Sequence, residues 1–117
     1  FIEQQALIKR IESSDELWNS AQREIKEIFQ NDREDISSSS LKVKALDRSV
    51  ASASLVLESY ERQFQGGRKS WLDLLNAVRE LVQNEYSLAE AKASLMAAIY
   101  KFQIRADLPM QKKNQYE

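Results

Sequence analysis

The chain has 117 residues, with 17 basic and 18 acidic side chains, a formal charge of -1, and neither cysteine nor histidine. That balance provides no global field to recruit nucleic acid or an anionic membrane, and the missing residue types remove thiol chemistry, disulfides, imidazole catalysis and the usual zinc ligands. Two glycines, one proline and 30% charged residues favour long helices or a coiled coil over a compact α/β enzyme, which needs more turns.

In chain order, the apolar residues Leu7, Ile11, Trp18, Ala21, Ile25 and Ile28 recur at steps of three, four or seven. This predicts an amphipathic helix from about Ile2. Residues 31–40 hold one apolar anchor, Ile36, and read either as a loop or as weak helix. With no Gly or Pro there, and with the heptad series Phe29, Ile36, Val43, Val50, Leu57, Phe64 passing through in phase, one continuous helix is expected, over about 2–64. At about 1.5 Å per residue such a helix would reach about 90 Å. Leu41, Leu55 and Val56 lie off the stripe and imply more than one neighbour.

The segment 65–70 holds both glycines and predicts a tight tip. A glycine ends the first helix in the left-handed conformation, and Ser70 with Asp73 forms an S-x-x-D pair that caps the second. As a bare motif this is foremost a simple helix start. The second helix is expected over about 71–106, ending before Pro109. Its heptad is Leu74, Leu81, Leu88, Leu95 and Phe102, with Leu75, Val78, Val82, Ala89, Met96 and Ile99 beside it as a broad stripe. Residues 109–117 read as a polar, frayed tail. The fold class is thus all-α, a long antiparallel helical hairpin over 1–108. The first helix exceeds its partner by more than twenty residues, so Ile11, Trp18 and Ile25 need cover from elsewhere, and the chain is expected to self-associate.

Opposite the second helix's stripe lie Asp73, Asn76, Glu80, Gln83, Ser87, Glu90, Ser94, Lys101 and Arg105, a solvated face by default and the lining of an aqueous channel in the sharper reading. Arg68 and Lys69 serve solubility at the tip or dock an acidic partner. Trp71 is a packing wedge or an exposed contact, with packing favoured. The carboxylates are scattered without a pocket or a paired base, so no enzyme, metal site or cofactor is expected. No apolar run reaches the roughly 20 residues of a membrane-spanning helix. Beginning at Phe1, the chain reads as a processed product or a fragment.

The segment from Ser59 through Ala77, Tyr60-Glu-Arg-Gln-Phe-Gln-Gly-Gly67-Arg68-Lys69-Ser70-Trp-Leu-Asp73-Leu-Leu75-Asn76-Ala77 at its centre, followed by Arg79-Glu80-Leu81 and later Ala89-Glu90-Ala91, resembles the TolC-like outer-membrane efflux and secretion channels, most of all the type I secretion branch. Gly67, Ser70, Asp73, Leu75, Asn76 and Ala77 fall at the spacing of that family's periplasmic tip motif, and the resemblance can be followed from about Ala6 to Leu108. It implies the second hairpin of a protomer in a trimeric periplasmic α-barrel, a passive conduit working with a periplasmic adaptor and an inner-membrane transporter. The outer-membrane β-barrel would lie in parts of the protein missing from this chain. Asp73 and Asn76 would line the constriction. Asn76 stands where many members carry a second Asp, which lowers the negative charge of that ring. Gly67, Arg68, Lys69 and Ser70 would form the adaptor contact, and either Arg68 or Lys69 matches the basic position that links neighbouring hairpins. Two other readings stand beside it, a periplasmic adaptor hairpin and a generic coiled-coil scaffold.

Overall fold

The computed structural model describes the backbone of residues 1–115 and the side chains of residues 1–108. Two helices account for nearly all of it, α1 over Ile2–Gln65 and α2 over Trp71–Gln115, and there is no strand among the described residues. The chain is an all-α helical hairpin. It divides into two compact units, Phe1–Glu34 and Asp35–Glu117.

α1 runs through 31–40 without a break. Serine and aspartate cost only a few tenths of a kcal/mol each relative to alanine inside a helix, and without Gly or Pro nothing in the segment stops it. Asp32, one of the polar residues that made this stretch look like a loop, is 5% exposed and partnered. Farther along, the Ser49 hydroxyl donates to the Ala45 carbonyl at 3.1 Å, so this serine finds its partner within the helix itself.

In the second unit α1 and α2 face each other along a seam. On α1 the half-buried apolar residues are Ile36, Val43, Leu46, Val50, Ala53, Leu57 and Tyr60, close to the three-four alternation expected of a coiled coil. On α2 the covered residues from 74 to 98 alternate chiefly between the half-buried leucine series Leu74, Leu81, Leu88, Leu95 and a second series of small or polar residues, Ala77, Asn84, Ala91 and Ala98. The small series lets the backbones approach while the leucines fill the space between them. Ala77 and Ala91, each 6% exposed, are the buried hydrophobic residues among those described. A two-helix seam covers a large side chain from one side only, so the core is thin.

This seam corrects three expectations. Leu75, Val78, Val82, Met96 and Ile99 are exposed, as is Ala89; the predicted broad stripe is instead a second apolar face beside the seam. Ser87 and Arg105, placed on the solvated face, are half-buried. Phe64 closes the heptad series but is exposed, because the helix ends one residue later and α2 starts beyond it.

α2 also continues through Pro109 to Gln115 rather than ending near residue 106. A proline takes one N–H out of the ladder at a cost of about 3 kcal/mol in a helix interior, but it forces no stop where no glycine follows. The expected tail is therefore helical over 109–115, while residues 116 and 117 lie outside the described residues. Within the first unit, Leu7, Ile8, Ile11, Trp18, Ile25 and Ile28 are all exposed, a helical stripe without cover.

Candidate functional site: the hairpin tip

Two complementary end motifs build the tip. Gly67 has a φ of 76°, the left-handed region that a side chain disfavours. Its N–H donates to the Phe64 carbonyl at 3.0 Å, and the Arg68 N–H donates to the Gln63 carbonyl at 2.7 Å. This is the Schellman arrangement, which satisfies the last carbonyls of α1. Gly66 takes no such backbone conformation, so of the glycine pair one residue makes the reversal.

At the start of α2, Ser70 and Asp73 form a reciprocal capping box. The Asp73 N–H donates to the Ser70 hydroxyl at 3.2 Å, the Ser70 N–H donates to the Asp73 carboxylate at 3.3 Å, and the hydroxyl donates to the same carboxylate at 2.9 Å. Free N–H groups of the first turn are thereby satisfied. The Ser70 hydroxyl, then the Ser70 N–H, and to a lesser extent the Lys69 charge hold the Asp73 carboxyl below its ordinary value of 3.8.

The two tip cations divide. Lys69 lays its Nζ over the Tyr60 ring, 4.4 Å from the centroid, a cation–π contact that ties the turn to the last turns of α1. Arg68 is exposed, and its guanidinium makes no hydrogen bond, ion pair or ring contact among the described residues. The sequence left the two equivalent, because only side-chain direction separates them. Trp71 corrects the packing expectation: it is 65% exposed, and Leu72 beside it is 62% exposed. Placing residue 71 in the seam's heptad register would have revealed this, since the seam opens with Leu74.

Asp73 and Asn76 are both exposed on the first turns of α2. Their face leads along the helix to a shallow groove between α1 and α2, lined by Ser49 and Ser52 opposite Glu80 and Asn84. Nearer the far end a second groove sets Lys42 opposite Ser87, Glu90 and Ser94. Both grooves mix these polar groups with apolar ones, Ala53, Val56 and Ala77 in the first and Leu46 and Ala91 in the second, while α2's second apolar stripe occupies another flank. Among the described residues no group of three or more acidic, His or Cys residues could hold a metal, and among them no helix is long and apolar enough to cross a membrane.

Fold and site together define the class as an α-helical hairpin with a capped, preorganised tip. Comparison with protein-family models, curated proteins and solved structures returns no match.

Proposed function

We propose that this chain is the periplasmic hairpin segment of a trimeric outer-membrane export channel, a passive conduit in a tripartite efflux or type I secretion system. The observation that carries the reading is the tip. The residues that resemble the family motif, Gly67, Ser70 and Asp73, are the ones that build the turn, and they leave Asp73 and Asn76 exposed next to it. In this reading Asp73 and Asn76 line the gate, and the tip from Gly67 to Ser70 meets a periplasmic adaptor. The inner-membrane transporter supplies the energy. The exposed polar row Asp73, Asn76, Glu80 and Glu90 suits a water-filled lumen, and the apolar stripe suits a wall of neighbouring helices.

The complete coding sequence tests this directly. A channel protomer carries a second copy of the tip motif well upstream, with amphipathic strands between; absence of that repeat sinks the assignment, and flanking lipoyl-like strands would favour an adaptor instead. In the complete channel, Asp73→Ala is expected to change single-channel conductance or leak, and unchanged conductance would take Asp73 out of the gate.

A further inference from the structure

We propose that Trp71, Leu72 and Arg68 are the anchor of a protein-docking surface at the hairpin tip, and that its partner presents an apolar recess flanked by carboxylates. The proposal rests on reading the tip as the docking end, and it names the chemistry of what docks there.

Trp71, Leu72 and Leu75 are exposed and stand at i, i+1 and i+4 on the first turns of α2, where residues three and four apart are neighbours. By that spacing the three adjoin as one apolar patch on α2, and Phe64 at the end of α1 is exposed as well. Trp and Arg are enriched among the few residues that carry most of the binding energy at interfaces. Arg68 precedes the patch in the turn; its N–H closes the turn on Gln63, while its guanidinium is exposed and without a contact among the described residues.

The charges beside it are committed within the hairpin: Lys69 lies over Tyr60, and Asp73 receives both Ser70 donors. The guanidinium is therefore a polar handle that the turn offers outward, with Glu61 and Arg62 exposed behind it in the last turns of α1, and a carboxylate is the group that pairs with a guanidinium in two-pronged geometry. A second copy of this chain does not supply one there. Meeting tip to tip, or aligned in parallel at the same level, two copies bring Arg68 and Lys69 against the same cations. The Schellman turn and the capping box hold the patch in place before binding, which lowers the ordering cost of docking.

The test uses the full chain with Trp18→Phe, so that Trp71 is the remaining tryptophan. The probes are synthetic helical-hairpin peptides whose tips carry leucines flanked by glutamates, the same leucines flanked by lysines, or serines flanked by glutamates. The glutamate–leucine probe is expected to move Trp71 emission to shorter wavelength and to bind at least about tenfold more tightly than either other probe. Arg68→Glu should abolish that preference, and Arg68→Lys, which keeps the charge but not the two-pronged pairing, should keep its sign and reduce its size. Trp71→Ala, followed through a fluorophore on the probe, should weaken binding by about 30-fold. Circular dichroism melts check that each variant stays folded, as expected for exposed positions.

Equal affinity for the glutamate and lysine probes overturns the proposal, as does an Arg68→Glu variant that binds like the parent. A Trp71 emission shift on concentrating the protein alone would also overturn it, in favour of a second copy. A gene lacking the upstream repeat would remove the channel reading and leave these affinities standing. Failure of the charge preference would remove the docking chemistry and leave the conductance experiment to judge the channel.

Discussion

At the residue scale, the two adjacent glycines are expected to respond in opposite ways to the same change. Gly67 sits at a φ of 76°, so Gly67→Ala should destabilise the hairpin by about 1–2 kcal/mol although open space surrounds the position. At Gly66 an added Cβ would meet the Arg62 and Gln63 carbonyls at 3.6 and 3.7 Å, ordinary contact distances. Gly66→Ala should be neutral or stabilising by up to about 1 kcal/mol, through loss of freedom in the unfolded chain. Thermal melts of the two variants measure the contrast, and equal effects would count against the Schellman turn. Asp73 adds a pH dependence. Its folded pKa lies below 3.8, so its contribution to stability is present above that value and is lost as pH falls through the lowered folded value. Between neutral pH and acid the parent should lose more stability than Asp73→Asn, measured by chemical denaturation at each pH. Ser70→Ala removes the hydroxyl from the same box, and a loss of about 1 kcal/mol is expected.

At the scale of the elements, the seam explains which substitutions each helix tolerates. Ala91 is buried against α1, and Ala91→Leu should force the helices apart at a cost of about 1–3 kcal/mol. Ala89 is exposed, and Ala89→Leu should stay within about 0.5 kcal/mol. A pair of melts that failed to separate these alanines would contradict the register. The heptad of leucines on α2 was legible in the sequence, and so was the continuity of α1 through its serine-rich stretch, because both depend on periodicity and on the absence of breakers. Which apolar residues flank the leucines inside the seam was not legible. With apolar side chains on two adjoining faces of α2, periodicity marks a wide stripe, and only the partner helix picks out the face that is covered. Pro109 misled for a related reason: proline weakens one rung of the ladder, whereas a helix end needs a competing cap.

For the molecule as a whole, each compact unit leaves apolar side chains uncovered. The first unit exposes Leu7, Ile11, Trp18 and Ile25, and the second exposes Leu41, Leu55 and α2's outer stripe. Contiguous exposed stripes of this kind mark interaction surfaces, so the full chain is expected to self-associate. Light scattering at tens of micromolar should report species larger than the monomer, and a strictly monomeric chain would count against it. Polar substitutions at Trp18 and Ile25 should shift the population toward monomer without loss of helix signal.

The sequence by itself determined the two helices, the turn between them and the capping pair at Ser70 and Asp73, since each follows from local rules that act within one or two turns of backbone. It also shows that this chain carries no thiol and no imidazole. The tertiary structure alone decided which face of α2 meets α1, that Lys69 turns back onto Tyr60 while Arg68 points to solvent unpaired, and that Trp71 stands outside the seam. These depend on how one helix shields another, and a linear pattern carries no record of which of two apolar faces a neighbour will cover.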